Sequence, residues 1–234
     1  DSAQALAGLA ERLEGALEVD PSFGDDLAAA RCKGEAATRG NVSPYDALFD
    51  ALHRSAGDDY LWVRDITLSN SMWGNRMMTL RGPRDGVHAT GGGIGQGLPM
   101  AIGAAQAAPD RQVLCLTGDG GLQLCIGELA TLAESRARVL VLVMNDQGYG
   151  VIRNIQDAHY GGRRGYTDVL TPGFADLCAA MGLEHRHLRD LGDAEAVLTG
   201  AIALGGPVMV EVDMAAIGGF ATRFAGPPVR DKAT

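Results

Sequence analysis

Two acids, each closing an apolar run, are the residues of this chain best placed for chemistry. Asp119 sits in LTGDGG (116–121), directly after the run 112–116, and Asp146 sits in NDQGYG (145–150), directly after 139–144. The 27 positions between them leave room for one helix and a return strand, so both carboxylates are expected at neighbouring strand ends. Gly120, Gly121 and Gly148 keep the backbone open there. Two carboxylates and a backbone carbonyl, completed by water and phosphate oxygens, would form an octahedral Mg²⁺ site. Singly, either acid is equally the type that caps a helix or makes a turn. The pair is what points to a metal bridging protein acids to an anionic ligand.

Positioning such acids requires a parallel sheet. Apolar runs at 60–63, 112–117, 139–144 and 208–212 read as strands, several apolar throughout. Helical patterns lie between or beside them at 69–80, 98–108, 126–134, 149–156, 174–181 and 194–204. Ser43 and Pro44 supply an N-cap and a first-turn proline for a helix over 45–55. The expected fold is α/β, a parallel sheet with helices on both faces, whose ligands bind beyond the carboxyl ends of the strands. Residues 1–17, with Leu6, Leu9, Leu13 and Leu17 at helical spacing, read as one amphipathic helix. Residues 18–42 read as a loop-like linker, 43–213 as the main domain and 214–234 as a tail.

With 46% hydrophobic and 5% aromatic residues in 234, the chain can bury a substantial core. Its net charge of −9 has both signs interspersed, which leaves no basic stripe for nucleic acid. Cys32, Cys115, Cys125 and Cys178 form no CxxC pair and read as free thiols suited to a reducing cytoplasm. No apolar run is long enough to span a bilayer, and no signal peptide is visible.

The glycine-rich segment HATGGGIGQGLP (88–99) fits neither common nucleotide fingerprint. No register gives G-x-G-x-x-G, and Leu98-Pro99 stand where a P-loop needs Lys and Ser or Thr. A tight turn packing a helix closely onto the sheet is the alternative.

GDG followed by ND at paired strand ends resembles the signature of the thiamine diphosphate (ThDP) enzymes. The resemblance covers about residues 43–213, the family's diphosphate-binding domain, and is greatest to the acetolactate synthase and benzoylformate decarboxylase branch. It implies that Asp119 and Asp146 bind Mg²⁺ through their side chains and Gly148 through its carbonyl. Asp146 stands where Asn is commoner. Gly120 and Gly121 would offer N–H groups to the diphosphate, with Tyr149 and Gly150 beside them. Ile94 matches the apolar wedge that bends the cofactor, and Gly92 the glycine whose carbonyl accepts from its amino group. Thr67, Ser69 and Asn70 correspond to a diphosphate-contacting loop, or else simply cap a helix. Val151 and Ile152 would line an apolar substrate pocket.

The resemblance implies ThDP- and Mg²⁺-dependent decarboxylation or carboligation of a 2-oxo acid. No catalytic residue of this chain is assigned, because the family's glutamate belongs to a separate pyrimidine-binding domain. That domain or subunit is therefore an expected partner, residues 1–17 resemble the last helix of a middle domain, and the whole protein is expected to be a homo-oligomer, dimer or tetramer. Ile152 stands where pyruvate decarboxylases carry Glu, and Ile155 where acetolactate synthases commonly carry Trp; Tyr149 to Arg153 are nearer benzoylformate decarboxylases. Glu128 reads as structural. Of the histidines only His88 stands near the glycine segment that would meet the cofactor, and it reads rather as a satisfied loop histidine, while residues 157–168 read either as a cover for the substrate or as a surface loop. The rival reading is a non-catalytic module that holds ThDP or another nucleotide diphosphate without turnover.

Overall fold

The computed structural model describes residues 1–18 and 20–226. By its internal packing the chain divides into a small unit, Asp1–Ala37, and a large one beginning at Thr38. In the small unit α1 (Ser2–Leu13) is capped by the Asp1 carboxylate, which accepts from Ala3 N at 3.0 Å. None of its residues is buried, so Leu6 and Leu9 point to solvent, and Leu17 lies beyond the helix end.

Residues 18–42, expected as a loop-like linker, are mostly helical: α2 runs Phe23–Val42, and its last turn belongs to the large unit. Asp25 and Asp26 stand in its first turn, where the helix dipole favours negative charge. Alanines and charged residues of high helix propensity follow. Only Val42 of this helix is buried, so the apolar periodicity that betrays a packed helix is missing.

The large unit continues with α3 (Asp46–Ala56), β1 (Tyr60–Arg64), β2 (Gly86–His88), α4 (Gly97–Ala107), β3 (Gln112–Gly118), α5 (Asp119–Gln123) and α6 (Glu128–Ser135). Then come β4 (Val139–Asn145), α7 (Gly150–His159), α8 (Phe174–Met181), β5 (Glu184–Leu188), α9 (Ala194–Ala203), β6 (Val208–Asp213) and α10 (Met214–Ile217). All sheet neighbours pair in parallel, in the order β2-β1-β3-β4-β6-β5. The two edge strands were not legible as strands: β2 is three residues long and β5 reads Glu-His-Arg-His-Leu. Short and charged edges discourage pairing with another chain.

Alternation along the central strands builds two cores. Leu114, Leu116, Leu140, Leu142, Val208 and Val210 face one side, packing with Phe49, Leu52, Trp62 and Trp73. Val113, Cys115, Val139, Val141 and Met209 face the other, against Leu98, Leu129 and Phe174. Both sides are covered, and each fully buried leucine or valine stabilises by about 1.5–3 kcal/mol relative to exposure.

Two local expectations change. The helix expected to start with Ser43 and Pro44 begins at Asp46, after the cis Ser43–Pro44 bond. The helix expected over 69–80 is a single π-helical turn, Asn70–Gly74, in which Asn75 N donates to Asn70 O at 3.2 Å. Trp62 Nε1 donates to Gly74 O at 2.8 Å, and a Cβ on Gly74 would collide with Leu116, so this turn is pressed onto the sheet and ends there.

Candidate functional site

Asp119 opens α5 where β3 ends, and is 1% exposed. Its Oδ2 accepts from Gly148 N at 2.8 Å and from Thr171 Oγ1 at 3.1 Å, while Oδ1 faces Asp146 N at 3.4 Å. Asp119 thus draws the loop after β4 onto the turn after β3. Burial raises the Asp119 pKa, against the opposing effect of those hydrogen bonds. Burial and then the Asp119 charge push the Asp146 carboxyl up to about 7. Two such acids side by side resist ionising together until a cation lies between them.

The donor set suits a hard divalent ion. Among the described residues no group of three or more His, Cys, Asp or Glu is placed to hold a metal, so the two acids are the only such side chains gathered here. The Gly148 carbonyl oxygen lies 3.4 Å from where a Cβ on Gly120 would stand, so it faces the GDG turn. Gly148 has φ of 149°, and a Cβ there would collide with Thr167 O. A Cβ on Gly150 would collide with Asp146 Oδ2, and one on Gly120 would come within 2.7 Å of the Tyr149 ring. Glycine at these positions is a requirement of close approach.

Above the acids opens a cavity of about 460 Å³. Thr67, Gly92, Ile94, Gly120 and Gly121 line it from the β1 and β3 side, and Asp146 and Gly148 through Ile152 line it from the β4 side. Asp119 lies outside this lining and reaches it through its hydrogen bonds to the β4 loop. Ser69 and Asn70 are not brought to the wall. Both are buried; Asn70 Oδ1 accepts from Arg64 Nη1 at 3.1 Å, and Ser69 Oγ has no partner among the described residues. His88 is exposed on edge strand β2.

Sequence reasoning passed over Asp65, which directly follows β1 and is fully buried. Its Oδ2 accepts from Gly95 N at 2.9 Å, Gly97 N at 3.1 Å and Thr117 Oγ1 at 3.4 Å, and its Oδ1 from Ile66 N at 2.7 Å. The glycine segment is therefore a turn folded around a carboxylate. Gly91, Gly92 and Gly95 take φ of 70°, 74° and 85°, which side chains rarely adopt. The available signal was an acid one residue beyond the apolar run Tyr-Leu-Trp-Val, after Arg64.

Three further residues brace the β4 loop. Arg153 donates to the carbonyls of Asp146 at 3.3 Å and Gln147 at 3.1 Å. Asn145 donates to Glu211 Oε1 at 2.7 Å while its own Oδ1 accepts from Gln147 N at 3.1 Å. Thr171 ties the segment after α7 to Asp119, and that segment also pairs with the loop where Tyr149 N donates to Thr167 O at 2.8 Å.

A parallel α/β sheet thus places two acids and a glycine-lined cavity together at its carboxyl edge, the edge where open α/β sheets bind ligands. The comparisons make the class specific. Residues 68–212 match the family described as "Thiamine pyrophosphate enzyme, C-terminal TPP binding domain", and the chain belongs to that family. It is similar to the acetolactate synthase isozyme 1 large subunit of Escherichia coli K12, 34% identical over 70% of this chain and 30% of that protein. It is 31% identical to the mitochondrial acetolactate synthase catalytic subunit of Saccharomyces cerevisiae, over 62% of this chain and 21% of that one. Among solved structures it resembles the ThDP-dependent 4-hydroxybenzoylformate decarboxylase of Rhodococcus jostii RHA1, with TM-score 0.66 and 26% identity over 80% of this chain and 34% of that chain. The chain thus spans about a third or less of the relatives it matches. Among the described residues no helix is long and apolar enough to cross a membrane.

Proposed function

We propose that this chain is the cofactor-binding part of a ThDP- and Mg²⁺-dependent 2-oxo-acid decarboxylase or carboligase. Asp119 and Asp146 would hold Mg²⁺ with the Gly148 carbonyl, and the N–H groups of Gly120 and Gly121 would meet the diphosphate. Bound ThDP supplies the electron sink for loss of CO₂ from a 2-oxo acid. This chain's own residues would position and dry the site: Ile94 would support the cofactor, Val151 and Ile152 would keep water from the reacting carboxylate, and Asp65 fixes the turn that carries Gly92 and Ile94.

The observation that carries this reading is the pair Asp119 and Asp146: Asp146 lines the same cavity as Ile94, and Asp119 is tied to that cavity wall through Gly148 N. Names such as acetolactate synthase and 4-hydroxybenzoylformate decarboxylase, carried by similar proteins, support the reaction class. The proton-donating glutamate would come from a pyrimidine-binding domain or subunit, within a homo-oligomer. Calorimetric titration of ThDP with and without Mg²⁺ tests the binding half. Asp119→Ala is expected to weaken Mg²⁺-dependent ThDP binding on the order of 100-fold; unchanged affinity would remove the metal assignment. With the pyrimidine-binding partner present, a panel of 2-oxo acids followed by CO₂ release tests the reaction.

A further inference from the structure

We infer that the polar cavity on the other face of α7 is an oxyanion-binding site separate from the ThDP cavity. It measures about 540 Å³, and Gly150, Arg153, Asn154 and Asp157 line it from α7. Their spacing of three, four and seven residues is one helical face. Val151 and Ile152, on the adjacent face, line the ThDP cavity instead, and the two spaces share only Leu68, Asp146 and Gly150 as a rim. Arg223, from the segment after α10, and Arg164 complete the charged wall.

The wall carries three guanidinium groups against two carboxylates, and both carboxylates are committed. Asp157 is taken by Arg164 in a two-pronged contact at 2.7 and 2.6 Å. Asp146 faces Asp119. Arg153 spends two donors on backbone carbonyls, and its Nε is buried without a hydrogen-bond partner among the described residues. The nearest carboxylate to that Nε is Asp168 at 4.0 Å, on an exposed side chain. Arg223 makes no hydrogen bond or ion pair among the described residues, although its charge reaches Asp157 and helps hold that carboxyl low, after the larger effect of Arg164. Two guanidinium groups lining one cavity, Arg223 without a carboxylate partner among the described residues and Arg153 with only the exposed Asp168 at 4.0 Å, is the arrangement that binds phosphate, sulfate or carboxylate groups, through paired N–H donors. At roughly 30 Å³ per water the volume accepts such an ion with several waters.

This inference stands independently of the reaction proposed above, because its test needs no turnover. Inorganic phosphate is the probe, titrated calorimetrically into the protein alone and then into protein saturated with Mg²⁺ and ThDP. Saturable phosphate binding is expected in both arms, with Arg223→Gln weakening it about tenfold. Asn154→Asp, which adds a third carboxylate to the same helical face, is expected to weaken it similarly and gives a second readout should Arg223→Gln misfold. Absence of phosphate binding, equal binding by the parent and both variants, or loss of binding on saturation with ThDP would each overturn the inference. The last outcome would make the cavity an end of the cofactor site.

Discussion

Asn145 and Glu211, 66 positions apart, meet on adjacent strands with Asn145 Nδ2 donating to Glu211 Oε1 at 2.7 Å. Glu211 Oε2 lies 3.0 Å from His185 Nε2 on the edge strand, so the chain of contacts runs from β5 through β6 to the loop bearing Asp146 and Gly148. The Asn145 side chain has one orientation that satisfies both Glu211 and Gln147 N, and this fixes where the loop leaves β4. Glu211→Ala is expected to weaken Mg²⁺-dependent ThDP binding about tenfold, the scale typical of residues that orient metal ligands. Glu211→Gln, which can still accept from Asn145, should restore most of it. Titrations at fixed ThDP and varied Mg²⁺ check this, and equal metal affinity in all three proteins would confine Glu211 to a structural role.

Glu211 also sets a pH dependence of stability. Burial alone would raise its pKa, but the hydrogen bonds with His185 and Asn145 outweigh it and leave the carboxyl below its ordinary value. A depressed folded-state pKa contributes stability above the unfolded value, about 4.3 for glutamate, and loses it as pH falls through the folded one. Urea unfolding of the parent is therefore expected to lose more stability between neutral pH and pH values below about 4 than unfolding of Glu211→Gln. Parallel pH profiles would contradict it.

Asp65 holds the backbone N–H groups of Ile66, Gly95 and Gly97 and the Thr117 hydroxyl of β3. Asp65→Ala leaves those donors buried or forces the glycine turn to open to water. A loss of about 3 kcal/mol in urea unfolding is expected, given a cost of about 1–3 kcal/mol for each unsatisfied buried group and partial relaxation. Hydrogen exchange should quicken at Gly95 and Gly97 before it does in β3. Unchanged exchange at both glycines would mean that another group holds the turn.

What the sequence made legible follows from the range of the forces involved. The strands β3, β4 and β6 were readable because burial on both sheet faces demands apolar residues at nearly every position. Asp119 and Asp146 stood out because an acid directly after such a strand breaks that demand. The edge strands β2 and β5 escaped because their partners and solvent exposure, not their composition, make them strands. Helix α2 escaped because it buries almost nothing. Asp65, Thr171 and Glu211 act across folds of the chain, Asp65 on Gly95 at a separation of 30, Thr171 on Asp119 at 52 and Glu211 on Asn145 at 66, and no local periodicity encodes such pairings.

Gly150 tests how tightly the acids proposed to hold Mg²⁺ are fixed. A Cβ at this position would collide with Asp146 Oδ2, and the Gly150 backbone also hydrogen-bonds that carboxylate. Gly150 lies in the first turn of α7 and its φ needs no glycine, so alanine there costs nothing in backbone conformation. Substitution by alanine therefore acts on the neighbour: the carboxylate must swing off its present position or the helix start must shift. Overpacking of this kind costs about 1–3 kcal/mol. Gly150→Ala is expected to stay folded while weakening Mg²⁺-dependent ThDP binding at least about tenfold, with the added methyl bordering the cavity as well. Circular dichroism separates folding from binding. If affinity for Mg²⁺ and ThDP matches the parent while the fold is intact, Asp146 is free to move and its present orientation is not the one that binds metal.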